Sequence, residues 1–290
     1  MKVKIIAGLV GGAVAILALI FVRSYLPVVL LALVSAIAAY ELLKSLKVKS
    51  KSLITLTVTT AAAMPFLAAL FSVLMRPEVQ RFLPMAVMVF LLSFFFIMLS
   101  KFKKITWTHV FVAIAGSTLI PLAISSLVFI RDFVPFLDGE LHTPTDNWTR
   151  FWLLLGMFCC WLTDSFAYLT GMATGGKHKM SPTISPNKSW EGAIGGVTLC
   201  ALFNLGLWFV FNKLDLFGEI VPQWWLILAI SPVLSVLGIL GDLTFSAVKR
   251  QTGIKDFGSL MPEHGGALDR FDSYLFVMPT LWAVLHLVYK

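Results

Sequence analysis

"LPMAVMVFLLSFFFIMLS", residues 83–100, runs for eighteen positions without one charged side chain. A helix of roughly that length spans the hydrocarbon core of a bilayer. Runs of similar length recur at 5–22, 25–44, 53–75, 107–130, 151–173, 190–212, 224–249 and 272–289. Inside a membrane every backbone polar group needs an internal partner, and helices supply it. The expected fold class is therefore all-α: a polytopic membrane helix bundle of about nine transmembrane helices.

The composition agrees. The 290 residues are 58% hydrophobic and 13% charged, with a mean hydropathy of +0.88, whereas a soluble domain is about a quarter charged. No sizeable soluble domain fits. The net charge of +8 would point to nucleic acid in a soluble protein. Here the basic residues read as topology signals, so no nucleic-acid partner is expected. With the N-terminus placed in the cytoplasm, 16 of the 23 Lys and Arg fall on the inner side. That asymmetry predicts an N-in, C-out orientation and puts "MPEHGGALDRFD" (261–272) in the cytoplasm. The chain is expected to divide into N-terminal transmembrane helices (1–130), an acidic external loop with Pro and Gly (131–150), and a C-terminal transmembrane catalytic region (151–290).

The first 25 residues have a basic start and an apolar run, as a signal peptide does. The run is long for one and no small-residue cleavage site follows, so a retained first helix is expected. Cys159, Cys160 and Cys200 lie inside apolar runs without CxxC spacing and read as small buried hydrophobes. Gly8/Gly12 and Gly192/Gly196 have the GxxxG spacing that lets helices approach closely, and are given a packing role.

Charges inside spans are costly and mark candidate functional positions. Asp164 lies late in the sixth span and Asp242 late in the eighth. Asp242, Ser246 and Lys249 are spaced to share one helix face. Asp269 and Asp272 stand three apart at the start of the ninth run. Acids there could be ordinary caps that favour the macrodipole, but capping does not account for His264-Gly265-Gly266 or for Lys249, Arg250, Lys255 and Asp256 upstream. Glycine pairs let backbone approach a ligand, and successive N–H groups form anion-binding nests. Lys and Arg suit phosphate. Carboxylates beside them imply a cation between acid and phosphate, for which Mg²⁺, with or without a second cation, is expected. A second basic loop, "GGKHKMSPTISPNKSWEGAIGG" (175–196), leads into a helix N-terminus, itself an anion site; the bland alternative is a helix start capped by Ser189 or Asn187. Gly171 to Lys177 mimics a P-loop, but His178 stands where Ser or Thr is required and no strand is expected before it.

On these residues the chain resembles the phosphatidate cytidylyltransferases, or CDP-diacylglycerol synthases. "SAVKRQTGIKDFGSLMPEHGGALDRFD" (246–272) is similar to their signature, with Ser246, Lys249, Arg250, Lys255, Asp256, His264, Gly265, Gly266, Asp269, Arg270 and Asp272 at its polar anchors. Met261 and Ala267 replace bulkier or branched apolar residues, and "SPTISPNKSWEGAIGG" resembles the family's second loop. The resemblance implies that CTP and phosphatidate give CDP-diacylglycerol and pyrophosphate with Mg²⁺. It implies Asp242, Asp269 and Asp272 as metal ligands, with Asp164 a weaker candidate. Lys249, Arg250, Lys255 and Arg270 would neutralise phosphates, His264-Gly265-Gly266 would shape the nucleotide site, and Ser185, Asn187, Lys188, Ser189 and Ser246 would contact substrate. The partners are then CTP, phosphatidate and the surrounding lipid, and a homodimer is compatible with them. The expected location is a bacterial inner membrane with the site facing the cytoplasm. An ion-coupled transporter using Asp164 and Asp242, or a nucleotide-dependent lipid kinase, are the competing readings.

Overall fold

The computed structural model describes residues 2–258 and 265–289. The helices are α1 (Lys2–Ile20), α2 (Leu26–Ser45), α3 (Lys51–Ala69), the single turns α4 (Phe71–Leu74) and α5 (Pro77–Gln80), α6 (Leu83–Ser100) and α7 (Trp107–Arg131). After a small ribbon, β1 (Phe136–Leu137) with β2 (Glu140–Leu141), comes α8 (Asp146–Ala173). A second antiparallel ribbon, β3 (Lys179–Ser181) with β4 (Ser185–Ser189), precedes α9 (Trp190–Lys213) and α10 (Trp224–Thr252). The short α11 (Ala267–Phe271) and then α12 (Tyr274–Tyr289) complete the chain.

Each of the nine expected apolar runs is largely helical, although the run 53–75 is divided between α3 and the single turn α4. Among the described residues, seven helical segments are long and apolar enough to cross a membrane; α12 is a shorter apolar helix of 16 residues. The protein is a multi-pass helical membrane protein. The surface of α6 makes the physical case: Phe94 is its buried residue, while Phe96 is 72% exposed and Leu99 68%. Such a face would aggregate in water and is ordinary against lipid. Pro65, Pro121, Pro232 and Pro279 stand inside helices, which transmembrane helices tolerate.

The chain groups into two compact units, 1–129 with 252–270, and 130–251 with 271–290. In the first, α2 packs on α3. Leu43, Leu53, Phe94, Val110 and Ala113 form one fully buried cluster, and Val28, Ala68 and Val128 form another. In the second, α8 and α9 make the most extensive contact. Helix α8 starts where the Thr145 side chain accepts the Trp148 N–H at 3.0 Å, and α9 where Ser189 Oγ accepts the Gly192 N–H at 3.2 Å. These are N-caps, each satisfying a donor that the first turn otherwise leaves orphaned. Gly192 and Gly196 then let the helices close: a Cβ at Gly192 would lie 2.6 Å from Ala167 O, and one at Gly196 2.6 Å from Thr163 O. Gly12, of the other GxxxG pair, has nothing within 4 Å, so the packing role holds at the second pair and not at Gly12. The three cysteines are free and buried, as expected.

Candidate functional site

In the second unit, α8, β4 and α10 bring Asp164, Lys188 and Asp242 together. Lys188 Nζ lies 2.6 Å from Asp242 Oδ2 and 3.7 Å from Asp164 Oδ1. The ammonium is shielded from solvent and forms an ion pair with Asp242. These residues line a pocket of about 260 Å³ to which Ser185, Asn187 and Tyr168 also contribute. An apolar groove of about 310 Å³, lined by Trp190, Ile194, Val197, Val236 and Leu240, shares Met180, Ala193 and Ile239 with the pocket. Charge and hydrocarbon surface thus meet along one wall.

Within the loop expected at 175–196, β3 and β4 form a β-ribbon. Its pairing (Lys179 opposite Ser189, Ser181 opposite Ser185) carries Lys188 to the acids, and Arg250 Nε donates to Ile184 O at 3.3 Å from the end of α10. Ser189 is buried and serves as the α9 cap, the bland role weighed for it. Asp242, Ser246 and Lys249 all fall within α10, as their spacing required.

Asp272 does not begin the ninth helix. It lies in the turn ahead of α12, which starts at Tyr274, while Asp269 belongs to the separate α11. The cause is local: Ser273 N–H donates to Asp272 Oδ1 at 2.7 Å and Ser273 Oγ donates to Gly238 O at 3.0 Å. The turn is held against α10 because Gly241 has no side chain; a Cβ there would sit 2.7 Å from Asp272 O. Asp272 consequently neighbours Asp242. Burial first, and the Asp242 charge second, push its carboxyl up to about 7, with Lys249 acting in the opposite sense. Two adjoining carboxylates, one of them buried, fit a divalent cation, since Mg²⁺ is held by one or two carboxylates together with substrate phosphates. Among the described residues no group of three or more His, Cys, Asp or Glu has a metal-holding arrangement.

The remaining signature residues, Lys255, Asp256, Gly265, Gly266, Asp269 and Arg270, belong to the first unit; His264 lies outside the described residues. Asp269 is buried, and its Oδ2 accepts the N–H groups of Phe257 (2.8 Å) and Gly266 (3.0 Å). Lys255, Asp256 and Arg270 are exposed, and Gly265 has φ +85°, a left-handed conformation that suits glycine. Sequence reasoning missed Glu41 of α2, a buried acid whose Oε1 and Oε2 accept the Ala267 and Leu268 N–H groups at 3.1 and 2.9 Å. The signal was the one applied to Asp164 and Asp242: a carboxylate near the end of an apolar run.

Comparison with known proteins bears on the whole chain. Curated relatives named phosphatidate cytidylyltransferase include those of Staphylococcus epidermidis (45% identical over 130 residues), Staphylococcus haemolyticus (46% over 132) and Staphylococcus aureus (43% over 130). Each alignment covers 45% of this chain and 47% of the relative, so the chain spans about half the length of the curated relatives it matches. The model of the cytidylyltransferase family, by contrast, matches residues 2–288, and with that near-complete coverage the chain belongs to the cytidylyltransferase family.

Proposed function

We propose that the protein transfers the cytidylyl group of CTP to phosphatidate, giving CDP-diacylglycerol and pyrophosphate at the cytoplasmic face of a bacterial plasma membrane. The observation that carries this reading is the junction of the Asp164–Lys188–Asp242 pocket with an apolar groove. A phospholipid substrate has the same two-part character, a phosphate joined to hydrocarbon. The family membership and the names of the relatives support the same reaction.

The reaction needs positioning and charge neutralisation more than proton abstraction, because a phosphate oxygen is already ionised near pH 7. A phosphatidate oxygen forms the new bond to the α-phosphorus of CTP. The bond from that phosphorus to the bridging oxygen breaks, and pyrophosphate leaves with the electron pair. Lys188, set between two acids, orients the lipid phosphate with Ser185 and Asn187. Lys249 and Arg250 offset phosphate charge, and the resemblance gives Lys255 and Arg270 the same role. Asp242 and Asp272 would hold Mg²⁺, with Asp269 a third ligand by resemblance; when bound, the ion neutralises charge on the nucleotide phosphates. The apolar groove accepts acyl chain from the bilayer.

The test is direct. Purified protein receives cytidine-labelled CTP, Mg²⁺ and phosphatidate, and the organic phase is counted. A lipid-soluble cytidine product with equimolar pyrophosphate is expected. Lipid phosphorylation with release of nucleoside diphosphate would identify a kinase instead. Ion flux in proteoliposomes without lipid product would identify a transporter.

A further inference from the structure

Glu41 sits in the last turns of α2, buried to 5% exposure. Two physical terms oppose it there. An acid near a helix C-terminus faces the negative end of the macrodipole, and burial disfavours its charge. What it offers in return is two acceptors. Helix α11 opens at Ala267, and the first N–H groups of any helix have no intrahelical partner. Such donors are commonly satisfied by Ser, Thr, Asp or Asn immediately upstream, but the residues here are Gly265 and Gly266. Glu41 supplies the missing cap from another helix, 226 residues away in sequence, with one oxygen on each of two successive amides.

The fit is close on two sides. A Cβ placed on Gly266 or on Gly258 would collide with the Glu41 carboxylate. Gly258 and Gly265 flank residues 259–264 in sequence, and from α11 Asp269 Oδ2 takes the N–H groups of Phe257 and Gly266. Asp269 thus holds Phe257 and Gly266, on either side of residues 259–264, while Glu41 holds the Ala267 and Leu268 amides that follow. We infer that Glu41 is a positioning residue for cytidylyl transfer, fixing the start of α11, and with it Asp269 and Arg270, in its reactive arrangement. The inference rests on the proposed cytidylyltransferase reading for its catalytic half and on geometry alone for its anchoring half.

The experiment separates the halves. Residue-level hydrogen exchange on the detergent-purified full chain reads the Ala267 and Leu268 amides, while steady-state kinetics with CTP and phosphatidate reads turnover. In the unsubstituted protein both amides should exchange slowly; fast exchange overturns the anchor without any variant being needed. In Glu41→Gln, which keeps the volume but replaces one acceptor by a donor, at least one of the two amides should lose protection. The kcat should fall about 100-fold, the order expected for ~1 Å of misplacement, with the KM for phosphatidate unchanged. Gly258→Ala, which pushes the carboxylate from the opposite side, should reproduce the exchange pattern, and the double variant should be no worse than the poorer single one. Lost protection with unchanged kcat would overturn the positioning role and leave Glu41 as a structural cap. An unsubstituted protein without cytidylyl transfer would refute the function while the exchange data still judge the anchor.

Discussion

Lys188 Nζ lies 2.6 Å from Asp242 and 3.7 Å from Asp164, so one ammonium serves acids from two helices. Removing it leaves the two acids facing each other and takes away the ammonium proposed to orient the lipid phosphate. Lys188→Met should lower turnover by about 10²–10³-fold, the usual cost of deleting one transition-state charge partner. Lys188→Arg should not restore full activity, because a planar fork does not replace a point charge. The Asp partners should rank by contact: Asp242→Asn, at the short contact and 25% side-chain exposure, is expected to be more damaging than Asp164→Asn, at the long contact and 51%. Labelled-CTP incorporation measures both, and an inverted order would contradict the assignment.

Asp272 and Asp242 adjoin, with the Asp272 carboxyl pushed up to about 7 by burial and by its neighbour. A divalent cation relieves that repulsion. Activity should disappear in excess chelator and return on adding Mg²⁺, while Asp272→Asn should abolish turnover yet leave membrane insertion intact. Undiminished activity in metal-free buffer would remove the cation from the mechanism.

The helices were legible because hydrocarbon surface is a long-range, repetitive signal: the run at 83–100 needs no neighbour to be read as a span. Acids that interrupt such runs, Asp164 and Asp242, were legible as candidates, and the structure brings both to Lys188. What was not legible depends on partners distant in sequence. The ribbon at 179–189 is a pairing event around Pro182 and Pro186, and nothing in "SPTISP" alone announces that Lys188 will point between two helices. The turn at Asp272 depends on Gly238, Gly241 and Ser273 meeting. Glu41 carries the same intramembrane-acid signal as Asp242, but its partners are backbone amides 226 and 227 residues away, and main-chain donors leave no mark on composition.

Helix packing gives a stability test independent of catalysis. Gly196 faces Thr163 O so closely that an added Cβ would lie 2.6 Å away, against backbone that does not yield easily, whereas Gly206 on the same helix has nothing within 4 Å. Gly196→Ala should destabilise the protein by about 1–3 kcal/mol, the cost of overpacking. Gly206→Ala should be neutral or stabilise by up to about 1 kcal/mol through helix propensity. Thermal unfolding in detergent distinguishes the two, and equal midpoints would mean that the α8–α9 seam is looser than its geometry.

The orientation can be tested on a native-cysteine background, because Cys159, Cys160 and Cys200 are all buried and a membrane-impermeant maleimide should leave them unlabelled. Thr183, at the exposed tip of the β3–β4 ribbon, and Thr143, exposed after the β1–β2 ribbon, lie on opposite sides of α8 in sequence. If α8 crosses the bilayer once, cysteines at the two positions must label from opposite faces. The 16-to-7 division of Lys and Arg predicts that the Thr183 side is cytoplasmic. The proposed use of cytosolic CTP leads to the same expectation. Intact cells should therefore label a cysteine at 143 and not one at 183, and inverted vesicles should do the reverse. Labelling of 183 from outside would place the Lys188 pocket beyond the reach of cytosolic nucleotide and would sink the proposed reaction together with the topology. Labelling of both from one side would instead show that α8 does not traverse the membrane, leaving the pocket chemistry to be judged by the substitutions at Lys188 and Asp242.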